Sequence, residues 1–441
     1  MKRSEQILDV ELSNAILLSL QGDFDHPKTP PLQVAATDRL SLADEIYGLS
    51  VFWARAKEIF PFWKHRTMDW DQLFRDHLSE LVASGPLELA DYYDFLQTFA
   101  ASLGEGHTYV RFPAEIQKQW RYPSLQLDPL VVNGDIGMVV SSGELPRGTQ
   151  LIEVDGIPVR QMVERVASMT SASTPQDRFA KVADTLLRRN QGDSVSVKAI
   201  LPDGSMVSWR GVAEHIPQPR KYEMQKFDDG IVYVALPHFQ TAEIASSFHD
   251  AFPNFDGIRG IVLDLRRNSG GNSGNGYEIL KRLISEPVSP YHVRVPVNAP
   301  VLGSWGMAAR FWLAPRDQHG IYPNYDLPSF GGPVVVMASA CTYSAAEDFI
   351  VAFKAAKRGA VVGQPTGGST GQSVYFPLPG GGTGQIVGVW DTDADGNEFV
   401  GAGIAPDIHV TPELIDYSEN RDRALDTALA TIRSDISQQG G

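Results

Sequence analysis

The chain has very little cysteine: Cys341 is the one thiol in 441 residues. A single thiol excludes an intrachain disulfide, and no cysteine–histidine cluster has the spacing of a zinc site. We therefore expect no metal centre and no other cofactor. The redox compartment stays open.

The chain also lacks long apolar runs and an excess of positive charge. No segment is long and apolar enough for a membrane-spanning helix. The N-terminus, "MKRSEQILDVELSNAILLSL", starts basic, but acidic residues interrupt it and its apolar run is short for a signal peptide. A net charge of −15 disfavours nucleic acid or an anionic membrane as the main partner. We expect a soluble protein, cytoplasmic as the sequence stands or periplasmic or secreted if a leader was removed, and its oligomeric state is open.

The length of the chain, with 43% apolar composition, predicts several domains rather than one core. The stretch "DHPKTPPLQVAATD" is rich in proline and polar residues, so we expect residues 1–37 to be an N-terminal arm or linker. Residues 38–118 show three helical patterns, and residues 119–222 show short strands with Asp-Gly turns and a helical insert. From 223 to 441 strands and helices alternate, which predicts a mostly parallel sheet covered by helices, an α/β fold.

Functional groups in such sheets gather at the carboxyl ends of the strands, and the first notable strand end carries two glycines. The stretch "LDLRRNSGGN" places Gly270 and Gly271 after a buried strand. Paired glycines allow backbone N–H groups to approach an oxyanion without a Cβ in the way. A glycine turn before the next helix explains the same residues, so both interpretations stay open.

The second strand end is "ACTYSAAEDF", which follows the apolar run "GPVVVMAS". Ser344 and Glu347 have the spacing of a helix capping box, and a cap requires no chemistry. A nucleophile at the same point would gain from the helix dipole and from the free N–H of Ala345. From local spacing alone, the capping interpretation is favoured for Ser344.

A serine nucleophile needs a base, and two histidines are candidates. His107, in "LGEGHTYV", is flanked by glycine and lies at the junction of a helix and a strand, where functional side chains concentrate. His238 ends the strand pattern "VYVALPH" and is the second choice. Neither local pattern brings a histidine to Ser344.

Other polar residues at the strand ends have simpler interpretations. Asp264 and Arg266 are favoured as partners in a strand-end salt bridge. Cys341 could be a nucleophile, but a packed thiol is favoured, since cysteine is among the most buried residue types.

Taken together and in order, these motifs resemble the S41 family of serine peptidases, the group of C-terminal processing peptidases and tricorn-like cores. "LGEGHTYV" is similar to the family's Leu-x-Asp-Gly-His-Thr segment, and Trp70-Asp71 precedes it in a helical region. "RGTQLIEVDGIPV" resembles part of a PDZ-like domain, and "GIVLDLRRNSGGN" resembles Asp-Leu-Arg-x-Asn-x-Gly-Gly. "TYSAAEDF", "VVGQPTGGS" and "GAGIAPDIHV" are similar to the nucleophile motif, the following strand and turn, and the closing motif. The resemblance covers about residues 40–415.

The resemblance implies a ClpP/crotonase-like catalytic core over residues 223–441, a PDZ-like domain over 119–222 and a helical domain over 38–118 that carries the base. It implies hydrolysis of peptides or unfolded protein tails, with Ser344 as nucleophile. The lysine that serves as base in processing peptidases is replaced here by Ser369, so the resemblance favours His107 in a tricorn-like site.

The same resemblance implies supporting residues for this pair. The N–H groups of Ala345 and of Gly270 or Gly271 would form the oxyanion hole, and a late glutamate, Glu398, would orient the imidazole. The serine that precedes the histidine in tricorn-like sites is Gly106 here. Two other functions remain open: a non-catalytic ligand-binding or peptide-binding protein on the same fold, as in the related retinoid-binding proteins, and acyl-CoA chemistry on a crotonase-like core.

Overall fold

A computed structural model describes residues 6–7, 39–132, 135–314 and 320–439. The expected N-terminal arm, residues 1–37, lies outside these residues apart from Gln6–Ile7. The α-helices of the described residues are α1 (Leu42–Ile59), α2 (Trp70–Ser84), α3 (Leu89–Ala101), α4 (Ala114–Gln117), α5 (Val159–Ser168), α6 (Pro175–Thr185), α7 (Glu243–Ala251), α8 (Ser273–Leu280), α9 (Pro300–Ser304), α10 (Ala345–Ala355), α11 (Leu414–Ser418) and α12 (Arg423–Gln439).

The strands form three larger sheets, one three-stranded sheet and one two-stranded ribbon. Their bounds are β1 (Gln6–Ile7), β2 (Tyr109–Arg111), β3 (Trp120–Arg121), β4 (Leu125–Val132), β5 (Asp135–Gly143), β6 (Gln150–Val154), β7 (Ile157–Pro158), β8 (Arg189–Asn190), β9 (Ser194–Ile200), β10 (Met206–Val212), β11 (Glu223–Lys226), β12 (Ile231–Ala235), β13 (Gly260–Asp264), β14 (Tyr291–Asn298), β15 (Arg310–Leu313), β16 (Val334–Ala338), β17 (Ala360–Gly363), β18 (Ser373–Pro377), β19 (Thr383–Val387), β20 (Trp390–Asp393) and β21 (Ile408–His409).

Contacts along the chain divide it into two compact units, and each unit is built from three separate segments. Of the described residues, the first unit contains those within 1–118, 291–319 and 371–400, and the second contains those within 119–290, 320–370 and 401–441. Two segments that the sequence places in the 223–441 region thus belong to the first unit, because β14, β15 and β18 to β20 pair among themselves and β19 pairs with β2. The domain boundaries expected from the sequence stay predictions.

The first unit is built on the three predicted helices, which are confirmed as α1, α2 and α3. Ser41 and Asp69 accept hydrogen bonds from backbone N–H groups in the first turns of α1 and α2, as N-cap residues do. Aromatic side chains fill the core between the helices and the sheet β18-β19-β2: the ring of Phe52 lies 6.1 Å from that of Phe99 and 5.8 Å from that of Phe376 on β18. This core supports the segment between α3 and β2 that carries His107.

The second unit contains two sheets of different kinds. Residues 119–222 supply an antiparallel sheet in the order β10-β9-β6-β5-β4, with α5 and α6 packed on it. The other sheet has the order β11-β12-β13-β16-β17-β21, and its strands are parallel from β12 to β21. The predicted mostly parallel sheet is therefore confirmed. Helix α12 packs on it through Ala428 and Ile432, against alternate strand residues such as Val262 and Val335.

The protein thus has a mixed α/β fold. In the part of the chain that the structure describes, no helix combines the length and the apolar character needed to cross a membrane.

We predict that Phe52→Ala lowers the free energy of unfolding by about 3–5 kcal/mol, because it removes a fully buried ring and leaves a cavity. Urea unfolding followed by tryptophan fluorescence measures this. Val82→Ala on α2, where the side chain is half exposed, is the control and should change stability by less than about 0.5 kcal/mol. Equal losses in the two variants would contradict this description of the core.

Candidate active site

Ser344 occupies a strained turn between a buried strand and a helix. It follows β16 by a five-residue loop and is the N-cap residue of α10, with φ 57° and ψ −126°. Residues other than glycine rarely adopt a positive φ angle. Such backbone strain persists only where the surrounding structure holds the residue in place. A strained strand-to-helix turn is also the geometry that presents a nucleophilic serine in other hydrolase folds. The local conformation is therefore more than a helix cap requires.

Asn268 holds the loop after β13 against the Ser344 turn. Its side-chain amide donates to the Leu236 carbonyl oxygen (2.9 Å), its side-chain oxygen accepts from the Gly270 N–H (2.9 Å), and its backbone carbonyl accepts from the Tyr343 N–H (3.0 Å). Asn268 is fully buried, so each polar end needs a partner and has one. The two strand ends singled out in the sequence are thus brought together in the second unit.

Gly270 lies directly against the nucleophile turn. A Cβ built on Gly270 would come 2.7 Å from the Ser344 Cβ, and both Gly270 and Gly271 have positive φ, 92° and 138°. Residues with side chains are therefore disfavoured at these positions. The glycine turn serves close approach of two backbones, as well as opening helix α8.

The oxyanion donors expected from the sequence differ in availability. The Gly270 N–H is used by Asn268, so of the two glycines Gly271 is the better candidate. Within the described residues, the N–H groups of Gly271 and Ala345 donate no hydrogen bond. Ala345 opens α10, where the helix dipole favours negative charge.

Glu347 is a buried carboxyl group that ties the Ser344 turn to the turn after β17. Its Oε2 accepts from the N–H groups of Ser344 (3.2 Å) and Ser369 (2.9 Å), and its Oε1 accepts from the N–H of Gly368 (2.8 Å) and the hydroxyl of Thr366 (2.6 Å). The carbonyl oxygen of Ser369 in turn accepts from the Ser344 N–H (3.1 Å). Glu347 therefore does what the capping box predicts and also connects two loops.

Burial raises the pKa of Glu347 to about 8, against the lowering effect of its hydrogen bonds. The group thus carries a proton over much of the neutral range. The neighbouring Asp348 accepts from the hydroxyls of Ser273 (2.6 Å) and Thr370 (2.7 Å), and burial raises its pKa as well. These two side chains attach α10 to α8 and to the turn after β17.

Helix α6, which lies within residues 119–222, and its N-cap residue contact the Ser344 turn and the turn after β17. Thr174 donates to the Gly367 carbonyl oxygen (2.8 Å), and Gln176 donates to that of Thr366 (3.1 Å). The Lys181 amine bonds to Asp177 (3.0 Å) and lies 3.3 Å from the hydroxyl of Tyr343, the residue before Ser344. Lys181 was not predictable from the sequence, because a lysine within an amphipathic helix carries no local signal.

His107 lies in the first unit, in the segment between α3 and β2. Its backbone N–H donates to Glu105 Oε2 (2.9 Å), and its Nδ1 lies 3.9 Å from Glu105 Oε1. Glu105 is 1% exposed and also accepts from the hydroxyl of Thr108 (2.9 Å). Sequence reasoning missed Glu105, although a carboxylate two residues before a loop histidine was visible in "GEGHT".

Glu398 lies elsewhere in the first unit. It forms ion pairs with Lys64 (3.1 Å) and His65 (3.1 Å), and its side chain is partly exposed. In the described part of the chain, no hydrogen bond or ion pair joins it to His107. Its orienting role stays a prediction, and the structure provides this carboxylate with other partners.

The remaining candidates have structural partners. Arg266 donates to Asp264 (2.6 Å) and to Asp422 (2.8 Å), which confirms the predicted strand-end salt bridge. Burial raises the pKa of Cys341 to about 11, against the opposing effect of Arg267, so the thiol is protonated at neutral pH. Nδ1 of His238 accepts from the Gln240 N–H (3.3 Å).

A cavity of about 630 Å³ opens at the carboxyl ends of the parallel strands in the second unit. Its wall includes Ser339, Ala340 and Cys341, the residues that lead from β16 towards Ser344, and its charged lining includes Arg267 and Asp128. A cavity of this size accommodates a ligand. Across the described residues, no group of three histidine, cysteine or carboxylate side chains could hold a metal ion.

Comparison with known proteins finds a family match over the parallel-sheet region. Residues 230–410 match the model of Peptidase family S41. A tricorn protease homolog 2 from Streptomyces coelicolor is 30% identical over 175 residues, 38% of this chain and 12% of the relative. A chloroplastic C-terminal processing peptidase from Tetradesmus obliquus is 27% identical over 190 residues, 42% of this chain and 36% of the relative. The matches therefore span well under half of these relatives.

Solved structures extend the likeness over most of the chain. The crystal structure of mature CPAF has a TM-score of 0.71 at 16% identity, and the match covers 91% of this chain and 99% of that one. The photosystem II D1 C-terminal processing protease has a TM-score of 0.50 at 18% identity, over 85% and 95% of the two chains. At these identities the likeness concerns the fold alone.

We predict that the stability contributed by Glu347 falls as pH rises. A raised folded-state pKa means that this contribution is complete below the ordinary value near 4.5 and is lost as pH approaches 8. Residue 347 does not titrate in Glu347→Gln. As pH rises over that range, the free energy of unfolding of wild type should therefore fall by a few kcal/mol relative to that of the variant. The expected size is on the order of 1.4 kcal/mol per pKa unit.

Urea unfolding at pH 5, 6.5 and 8 measures this difference. Glu80→Gln, on the exposed side of α2, is the control and should show no such trend. A stability difference for Glu347→Gln that does not change with pH would contradict the assignment.

Proposed function

We propose, from the match of residues 230–410 to Peptidase family S41, that this chain is a serine peptidase that hydrolyses peptides or unfolded protein tails. The observation that carries the proposal is the strained Ser344 at the start of α10, beside two backbone N–H groups without an acceptor in the described residues. A helix cap requires neither the strain nor the open donors.

In the proposed mechanism His107 takes the proton of the Ser344 hydroxyl as Oγ attacks the peptide carbonyl carbon. The electron pair of the carbonyl moves to its oxygen, which the N–H groups of Ala345 and Gly271 stabilise. Collapse of this intermediate breaks the C–N bond, and His107 returns the proton to the leaving amine. Water, activated by the same histidine, then releases the acyl group.

Two carboxylates compete for the role of orienting His107. Glu398 is the candidate from the family resemblance, and Glu105 is supported by its burial and by the 3.9 Å separation between its Oε1 and His107 Nδ1. This separation is longer than a hydrogen bond, but such contacts often tighten only when substrate binds. We propose Glu105 as the positioning residue and keep Glu398 as the rival.

We further propose the finer architecture that the resemblance implies. The antiparallel sheet with α5 and α6 supports a PDZ-like domain over 119–222. The parallel strands with intervening helices support a ClpP/crotonase-like core within 223–441. The helices α1 to α3 support a separate helical domain over 38–118 that carries the base. The substrate would be a peptide or protein.

We predict that Ser344→Ala abolishes peptide hydrolysis and that His107→Ala lowers kcat by about 1000-fold or more, since both act in bond breaking. Mass spectrometry of a peptide library after incubation measures cleavage. His238→Ala is the matched control and should retain most of the activity. A larger loss in His238→Ala than in His107→Ala would make His238 the base.

Fluorophosphonate labelling separates the peptidase from its rival function. Wild type should become labelled at Ser344, and Ser344→Ala should not. A wild-type chain that neither reacts nor hydrolyses any peptide would favour the non-catalytic binding function.

We predict that Glu105→Gln lowers kcat by about 10- to 100-fold and shifts the acidic limb of the kcat–pH profile, because His107 loses a neighbouring negative charge. Glu398→Gln should leave both unchanged. Steady-state kinetics from pH 5 to 9 measures the two variants, with thermal unfolding to verify the fold. The reverse pattern would assign the orienting role to Glu398.

A further inference from the structure

Strand β18 is an edge strand of unusual composition. It is the outer strand of the sheet β18-β19-β2, and its sequence, "SVYFP", has no charged residue. Exposed sheet edges are normally protected by charges, because unpaired backbone groups attract other strands. Within the described residues, every other edge strand of four or more residues has a charged side chain; these strands are β4, β10, β11 and β20.

The pairing of β18 with β19 determines which backbone groups point outward. The Gly388 N–H donates to the Gln372 carbonyl oxygen (2.7 Å) and the Leu378 N–H to that of Gly382 (3.0 Å). In an antiparallel ladder, hydrogen-bonded pairs alternate with pairs that face away. With Ser373 opposite Val387, the even-numbered residues of β18 bond to β19 and the odd-numbered residues direct their N–H and C=O groups outward.

The outward groups form a short and well-defined set. The donors are the N–H groups of Ser373 and Tyr375, and the acceptors are the carbonyl oxygens of Ser373, Tyr375 and Pro377. No backbone partner for these donors occurs among the described residues. Pro377 has no N–H and so ends the row of donors. Val374 and Tyr375 are 43% and 57% exposed, so the edge is accessible to a partner.

The same edge begins beside the proposed base. The hydroxyl of Ser373 lies 3.5 Å from the carbonyl oxygen of His107, and β19 separates β18 from β2, which follows His107 in the chain. The guanidinium of Arg111 on β2 lies 5.6 Å from the ring centroid of Tyr375, and it has no carboxylate partner among the described residues. The Ser373 end of β18 therefore lies near the backbone of His107.

We propose that β18 binds the substrate main chain as an additional strand, so that an extended peptide segment pairs with Ser373–Pro377. The inference rests on the proposed peptidase function and specifies its substrate: an unfolded segment of about five residues with free N–H groups at alternate positions. Strand addition supplies affinity through main-chain hydrogen bonds and leaves side-chain preference to neighbouring groups.

A second copy of this chain is the rival occupant of the edge. Five residues with two outward donors would bury far less than the roughly 1,000 Å² that a stable interface requires. The uncharged edge beside His107 is therefore better suited to a transient peptide than to a dimer.

Proline substitutions at adjacent positions test the proposal. Tyr375→Pro removes an outward donor without removing a bond to β19, and edge strands tolerate proline at such positions. We expect kcat/KM for an unfolded peptide to fall roughly 10-fold relative to Tyr375→Ala, which keeps the N–H. Val374→Pro removes an inward donor and should instead lower the melting temperature. The proposal is overturned if Tyr375→Pro and Tyr375→Ala have equal kcat/KM, or if wild type sediments as a dimer that Tyr375→Pro dissociates.

Backbone N-methylation of the peptide is an independent test on the wild-type chain. In a series of peptides, each carries one N-methyl group at a different residue. Peptides methylated at alternate residues should bind more weakly, as measured by fluorescence anisotropy. If N-methylation weakened binding equally at every residue, or at none, the inference would be overturned even if Tyr375→Pro failed to fold. Failure of the proposed function is a different result: no labelling of Ser344 by a fluorophosphonate, whatever the N-methyl pattern.

Discussion

The buried carboxyl group of Glu347 is the interaction on which the geometry of the nucleophile turn depends. It binds the N–H of Ser344 on one side and the N–H groups of Gly368 and Ser369 on the other. These groups belong to two loops at the ends of adjacent parallel strands, β16 and β17. Removing the Glu347 carboxyl group from water costs free energy, and its four hydrogen bonds offset that cost. The positions of Ser344 and of the turn after β17 are therefore coupled.

The strain at Ser344 follows from this coupling. Positive φ in a serine persists because Asn268 holds Tyr343, while Glu347 and the Ser369 carbonyl hold the Ser344 N–H. The consequence is pre-organisation: the donors near Ser344 are fixed before any substrate arrives, which is the condition for electrostatic stabilisation of an oxyanion. Contacts from α6 and its N-cap residue Thr174 to Tyr343 and Gly367 extend the coupling to residues 119–222.

Several features of this site were predictable because their signals are local. The capping spacing of Ser344 and Glu347 and the paired glycines are each visible within ten residues, and so is the loop histidine of the first unit that is proposed as the base. Glu105 was missed because a carboxylate near a histidine is common and its burial is not local information. Gly270 could not be separated from Gly271 in the sequence, because the acceptor of its N–H, the side chain of Asn268, is defined only by a folded turn.

The sequence by itself determined the helices, the alternation of strands and helices, and the residue types at the strand ends, because these depend on the periodicity of apolar residues and on spacing within a few positions. Tertiary structure alone decided which segments share a unit. The pairing of β19 with β2 draws residues 371–400 to the helices of the first unit, and a hydrogen-bonded register between distant segments leaves no local trace. It also decided that β18 has an open edge, since a strand's place in a sheet depends on every other strand.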